Sequence, residues 1–144
     1  MNGASGNGAS GSEASGSEAS GSPLAEVLAF FDEWKPTLAD MLASMEKRFT
    51  DQTVWENVGV SRTVGFAEAK AFMDGFAQMK PIESGEVIVD HAAQIGNVVL
   101  TERTDNFRDR DGNIIVSIKL MGVFEMDGPK IVAWRDYFDT AKGF

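Results

Sequence analysis

The feature that most constrains this fold is a run of strand-like segments in the second half of the chain. Apolar and polar residues alternate through four consecutive segments, Glu86–Gln94, Val98–Phe107, Ile114–Met126 and Lys130–Phe138. The short breaks between them carry Gly-Asn or Asp-Gly pairs, which favour tight turns between antiparallel strands. The sequence therefore predicts a meander of four antiparallel strands.

Helix-like segments come before this meander. One begins at Ser22-Pro23, a capping residue followed by a proline in the first turn, and a second runs from Leu38 to Phe49. A third spans Phe66 to Met79, and a short strand is expected at Val54–Val58. Helices followed by strands are typical of an α+β domain. We expect a curved, mostly antiparallel sheet packed with the N-terminal helices into a cone that encloses a pocket.

The first 22 residues differ in composition from the rest. After Met1 they contain only Gly, Ser, Ala, Asn and Glu, with the pentapeptide GSEAS occurring twice. Such a segment cannot bury enough apolar surface to offset the entropy of ordering it. We expect residues 1–22 to be a flexible leader or linker and residues 23–144 to form a single catalytic domain.

Charge and residue counts exclude several classes of function. The net charge is −9 and the basic residues are scattered, so neither a nucleic acid nor an anionic membrane surface is an expected partner. The absence of cysteine excludes a thiol nucleophile and cysteine-ligated metals, and the single histidine does not favour a metal site. Without a long apolar run or a secretory signal, a cytoplasmic protein is expected.

Strand alternation places charged residues among apolar ones. Along Val98–Phe107 one face carries Val99, Thr101, Arg103, Asp105 and Phe107, while the other carries Glu102, Thr104 and Asn106 and should face solvent. The long strand offers a second apolar face, formed by Ile114, Val116, Ile118, Leu120, Phe124 and Met126. On the last strand Asp136 lies between Trp134 and Phe138. Two carboxylates and one guanidinium therefore point toward the buried side.

Buried charges of this kind must be paired, because an isolated buried ion costs several kcal/mol. One interpretation is a structural Arg–Asp bridge that ties neighbouring strands together. The other is an acid–base pair, in which low polarity and like-charge repulsion keep one carboxyl protonated while Arg103 lies between Asp105 and Asp136. The face pattern alone leaves both interpretations open.

Four motifs carry a family resemblance. The segments VLTERTD at 99–105, GVF at 122–124 and WRDYFD at 134–139 resemble the limonene-1,2-epoxide hydrolase family, as does VWEN at 54–57. The likeness runs from about Val54 to Asp139. It implies the cone-shaped fold shared with nuclear transport factor 2 and the SnoaL-like polyketide cyclases. The implied activity is addition of water to a hydrophobic epoxide to give a vicinal diol, with no cofactor and no covalent intermediate.

The resemblance also implies catalytic roles. Asp136 would be the general base that takes a proton from the attacking water, and Asp105 would be the general acid that protonates the opening epoxide oxygen. Arg103 would bridge both carboxylates and keep the base ionised, while Asn57 would hold the water. Each positioned proton transfer is worth about 10²- to 10⁴-fold in rate.

Apolar residues on the predicted inner faces would hold the substrate. These are Phe72, Met73, Phe76, Phe107, Ile118, Leu120, Phe124, Trp134 and Phe138. The expected partners are a small hydrophobic epoxide, water and, by analogy with the family, a second copy of the chain in a homodimer. Pocket shape decides which epoxide, which carbon and which enantiomer react.

The sequence departs from the family in two places. Trp55 stands where members usually have a tyrosine that binds the water, and an indole N–H donates one hydrogen bond but accepts none. Trp55 is therefore either a donor to the water or a core residue. Family members usually continue past the last strand, whereas this sequence ends at Phe144, so a more open pocket is expected.

Two other functions fit the same expected fold. A polyketide cyclase or isomerase would use Asp136 or Asp105 to abstract a proton from carbon. An isomerase of this kind relies on a tyrosine in the pocket, and alternation places the single tyrosine, Tyr137, on the face opposite Asp136. A binding or dimerisation module without catalytic activity would use the three charged residues only as a bridge.

Overall fold

A computed structural model describes residues 21–141. The helices are α1 (Pro23–Asp32), α2 (Leu38–Arg48) and α3 (Phe66–Met79). The strands are β1 (Phe49–Asn57), β2 (Ser61–Val64), β3 (Ser84–Ile95), β4 (Val98–Arg108), β5 (Ile114–Asp127) and β6 (Lys130–Phe138). The predicted flexible leader lies outside the described residues apart from Gly21 and Ser22, so the domain boundary stays a prediction.

The strands form one sheet in the order β2-β1-β6-β5-β4-β3. Strands β3 to β6 pair antiparallel with their neighbours in sequence, which confirms the predicted meander. Strand β1 pairs parallel with β6, so that Asn57 lies beside Asp136 and Trp55 beside Trp134. The helices pack on one face of this open, curved sheet, and the predicted α+β architecture is confirmed.

Local sequence explains where the helices begin. Ser22 Oγ accepts a hydrogen bond from the Ala25 backbone N–H, as the predicted cap of α1 requires. Thr37 and Asp40 form a reciprocal capping box at the start of α2. Helix α3 follows Gly65, which has a φ of 83°, and a Cβ there would lie 2.8 Å from the carbonyl oxygen of Asp51. Glycine is therefore required at that entry to α3.

Aromatic residues from the helices and the sheet form the centre of the core. Trp134 of β6 stacks on Phe124 of β5 with ring centroids 5.2 Å apart, and Phe30 of α1 meets Trp134 edge-on at 5.3 Å. All three side chains are almost completely buried. Within residues 21–141, no helix combines the length and the apolar character that a membrane span requires.

Several expectations about individual residues were wrong. Phe49 begins β1 rather than ending α2, and β2 was not predicted at all. Asn106 is only 6% exposed, although alternation placed it on the solvent face. Ile114 is 48% exposed, since a register shift at Phe107/Arg108 moves the start of β5 out of phase with the rest of the strand.

Candidate active site

Arg103 and two carboxylates form a buried ion cluster on the inner face of the sheet. Arg103 Nε donates to Asp105 Oδ1 at 3.0 Å, and Nη2 donates to Asp105 Oδ2 at 3.3 Å. The same Nη2 donates to Asp136 Oδ2 at 2.7 Å. The side chains of these residues are 0%, 7% and 4% exposed, respectively. One guanidinium thus connects an aspartate on its own strand β4 with an aspartate two strands away on β6.

Further contacts fix the orientation of this cluster. Trp134 Nε1 donates to Asp136 Oδ1 at 2.8 Å, so that each oxygen of Asp136 accepts an N–H. Arg103 Nη1 donates to Thr101 Oγ1 at 3.0 Å, and the guanidinium carbon lies 4.6 Å from the centre of the Phe31 ring. Acceptor oxygens and an aromatic face therefore restrict the guanidinium on several sides.

The protonation of the cluster follows from its burial. Burial raises the pKa of Asp105 to about 6; Arg103 acts against this rise, and the charge on Asp136 adds to it. Burial also raises the pKa of Asp136, although Arg103 and the hydrogen bond from Trp134 act to lower it. Burial by itself lowers the pKa of Arg103, but the two carboxylates outweigh that effect and raise it. With Arg103 charged, a single proton on the carboxylates makes the cluster neutral and lowers its desolvation cost.

These carboxylates face an apolar pocket between the sheet and the helices. Its empty space, including the open mouth, is about 430 Å³. The wall consists mainly of aromatic and aliphatic side chains, and its polar groups are Asp105, Asp136 and Asn57. The remaining lining residues are Trp34, Met41, Trp55, Phe72, Met73, Phe76, Phe107, Ile118, Leu120, Trp134 and Phe138. A few convergent polar groups in an apolar cleft are typical of a small-molecule site.

Asn57 and Trp55 reach the same pocket from β1. Asn57 Nδ2 donates to Ser61 Oγ at 3.1 Å, which leaves its second amide proton and its carbonyl oxygen for another partner. The Trp55 ring stacks on Trp134 with centroids 4.9 Å apart and planes inclined by 15°. Its indole N–H is buried and has no hydrogen-bond partner within residues 21–141. Trp55 therefore packs against Trp134, the residue that donates to Asp136. Trp55 itself carries one unsatisfied donor, its indole N–H.

The structure brings most of the predicted residues together at this pocket. Two of them are not at its wall: Phe124 stacks on Trp134 in the core, and the fully buried Arg103 contacts the two carboxylates of the pocket without lining it. Trp34 and Met41 also line the pocket, and neither was predicted as a site residue from the sequence. Tyr137 is 46% exposed on the outer face, as its alternation with Asp136 predicts. The hydrogen bond from Arg103 to Thr101 was not predicted. It could have been, because Thr101 lies two residues before Arg103 on the same face of the strand.

Solved structures with little sequence identity share this fold. A SnoaL-like polyketide cyclase from Shewanella denitrificans superposes with a TM-score of 0.67 at 13% identity, covering 81% of this chain and 90% of that chain. A protein with a ketosteroid isomerase-like fold from Catenulispora acidiphila gives a TM-score of 0.63 at 15% identity, over 79% and 85% of the two chains. At these identities the likeness shows the fold alone.

Epoxide hydrolases are similar in sequence as well. The sequence model of the limonene-1,2-epoxide hydrolase catalytic domain matches residues 26–144. Epoxide hydrolase EphG of Mycobacterium tuberculosis is 38% identical over 90 residues, which are 62% of this chain and only 57% of that relative's length. The structure of an M. tuberculosis LEH-like epoxide hydrolase gives a TM-score of 0.64 at 30% identity, over 82% of this chain and 79% of that chain. With its Arg–Asp cluster set in an apolar pocket of this fold, the chain belongs to the limonene-1,2-epoxide hydrolase family.

Proposed function

We propose that this chain is a cofactor-independent epoxide hydrolase that adds water to a hydrophobic epoxide and releases a vicinal diol. The observation that carries the proposal is a pair of carboxylates, Asp105 and Asp136, that line an apolar pocket and are both bound by the buried guanidinium of Arg103. Membership of the limonene-1,2-epoxide hydrolase family supports the same activity. The apolar wall favours a substrate that offers hydrocarbon surface around its epoxide ring.

Asp136 acts as the general base. Its register partner on the neighbouring strand is Asn57. A water molecule held by the second amide proton or the carbonyl oxygen of the Asn57 side chain therefore lies within reach of the carboxylate. The water oxygen forms a bond to one epoxide carbon while Asp136 takes one of the water protons. The unsatisfied indole N–H of Trp55 is a donor that can orient this water from the same strand.

Asp105 acts as the general acid. As the water attacks, the bond between that carbon and the epoxide oxygen breaks, and the electron pair stays on the oxygen. Asp105 transfers its proton to this oxygen, so no free alkoxide forms. Its raised pKa, about 6, keeps a usable share of the carboxyl protonated near neutral pH. After one turnover Asp136 holds a proton and Asp105 has lost one, and exchange with solvent restores the starting state.

The hydrogen bonds on Asp136 favour proton transfer over covalent attack. Each of its oxygens already accepts an N–H, one from Arg103 and one from Trp134. Such bonds withdraw charge from the carboxylate and restrict its approach to carbon, whereas a remaining lone pair can still accept a proton from water. The reaction therefore proceeds in one step without an ester intermediate. Association into a homodimer stays a prediction based on the family.

A single-turnover experiment in ¹⁸O-water tests the proposal. An excess of protein is mixed with limonene oxide, cyclohexene oxide or styrene oxide, and the diols are analysed by mass spectrometry. Direct attack by water puts ¹⁸O into the diol in the first turnover, whereas an aspartyl ester would first deliver an unlabelled carboxylate oxygen. Labelled diol from the first turnover is the expected result. Absence of diol from all three epoxides, together with an isomerised or cyclised product, would favour the cyclase or isomerase class.

A further inference from the structure

Strand β5 separates Arg103 from the base that it contacts. Arg103 is on β4 and Asp136 is on β6, with β5 paired between them. Neighbouring strands are about 4.8 Å apart, so the Arg103 side chain must cross roughly 10 Å of sheet over the inner face of β5. A side chain standing on β5 at the crossing point would occupy that route.

Gly122 lies at this crossing point. It is the register partner of Thr101 on β4 and of Asp136 on β6. A Cβ built on Gly122 would lie 2.6 Å from Asp136 Oδ1 and 3.1 Å from Thr101 Oγ1, and it would overlap Arg103 Nη1. Even the smallest side chain would therefore displace the Arg103 guanidinium or the Asp136 carboxylate.

Backbone conformation does not account for this glycine. Within residues 21–141, the glycines with positive φ are at positions 21, 59, 65, 96, 112 and 128, and Gly122 is not among them. Glycine inside a strand weakens it and often marks a place where another group approaches the backbone closely. At Gly122 the approaching group is the ion cluster itself.

We propose that Gly122 is a positioning residue of the acid–base site, because the absence of a side chain there gives Arg103 the space to reach Asp136 across β5. The Arg103 side chain crosses β5 next to the backbone at Gly122, and the Phe31 ring lies against the guanidinium. This inference rests on the proposed function for its kinetic consequences. Its steric part depends only on the geometry of the cluster.

The kinetic test compares Gly122→Ala with Gly75→Ala. Gly75 lies in α3, and a Cβ there would have no heavy atom within 4 Å, so this control should keep the parent kinetics. With styrene oxide, Gly122→Ala should lower kcat by about tenfold to hundredfold while KM stays within roughly threefold. The acidic limb of the kcat/KM profile should move up by about one pH unit, because a displaced Arg103 favours the ionised form of Asp136 less. Parent values of kcat and of the acidic limb would overturn the proposal.

A stability cycle tests the steric part without any substrate. In the parent, Gly122→Ala should lower Tm by roughly 5 to 10 °C or prevent folding. In an Arg103→Ala/Asp136→Ala background, both crowded groups are gone, and the same substitution should leave Tm unchanged or raise it. An equal loss in both backgrounds would overturn the inference. If the parent hydrolyses none of the epoxides, the proposed function fails, and this cycle still decides the role of Gly122.

Discussion

Replacing Asp136 by asparagine removes the proposed base while keeping the shape of its side chain. Asp136 accepts one N–H on each carboxylate oxygen, from Arg103 at 2.7 Å and from Trp134 at 2.8 Å. Asparagine has one carbonyl oxygen and one NH₂ group, so either orientation sets its NH₂ against one of these donors. The NH₂ group should turn toward Trp134, because Arg103 carries the charge and forms the stronger bond.

The expected magnitudes follow from this geometry. One lost buried hydrogen bond costs about 1–3 kcal/mol, and the charge of Arg103 stays paired because Asp105 can ionise beside it. The folded state should therefore survive, with Tm lowered by no more than roughly 8 °C. Loss of a positioned base lowers the rate by about 10²- to 10⁴-fold. We expect kcat for diol formation to fall by about 10³-fold.

The assay measures ¹⁸O-labelled diol from styrene oxide at pH 6, with near-ultraviolet circular dichroism to check the tryptophan stack. Asp139→Asn is a matched control, since Asp139 is exposed three residues later and, among the described residues 21–141, accepts only the Ala141 backbone N–H, a bond that asparagine can also accept. It should keep the parent rate. More than about a tenth of the parent kcat in Asp136→Asn would refute Asp136 as the base, given the size of a positioned proton transfer.

Three further predictions address the acid, the water site and the helix packing. Because Asp105 must be protonated and has a pKa of about 6, kcat/KM should fall roughly tenfold per pH unit above about pH 7; a flat profile between pH 6 and 9 would contradict its role as the acid. Trp55→Tyr, which keeps a donor, should retain most of kcat, and Trp55→Phe should lose about tenfold or more; equal rates would show that the indole N–H is not used. Glu33 forms a forked pair with buried Arg48, so Glu33→Gln should cost about 1 kcal/mol at pH 7, a value discounted for its exposure, whereas exposed Glu46→Gln should cost nothing measurable. Since the pKa of Glu33 is lowered to about 2, this stabilisation is present above pH 4.5 and is lost as the pH falls toward 2. Chemical unfolding of the parent and of Glu33→Gln at pH 7 and at about pH 2 measures the difference.

Strand alternation was the most informative property of the sequence for the site. The period of two along β4 placed Arg103 and Asp105 on the buried side, and the same rule placed Asp136 between two aromatic residues on β6. The structure agrees, because both strands are regular at these positions. Alternation failed at Ile114, where a shift in register changes the phase, and a single sequence gives no sign of such a shift.

Contacts between distant segments could not be predicted in the same way. The parallel pairing of β1 with β6 brings Asn57 beside Asp136, although about 80 residues separate them. Pattern reasoning placed Val54–Val58 in a strand but did not indicate its neighbour. Met41 likewise belongs to an apolar helical pattern that fits a core as well as a pocket wall, and only the position of the helices over the sheet decides between them.

The sequence by itself determined the α+β class, the antiparallel meander and the inward direction of the charged residues, because these depend on local periodicity and turn chemistry. Tertiary structure decided which groups meet: Arg103 with both carboxylates, Trp134 with Asp136, and Gly122 with the Arg103 side chain where it crosses β5. These contacts depend on strand order, register and packing distances of a few ångströms, which arise only when the whole chain has folded.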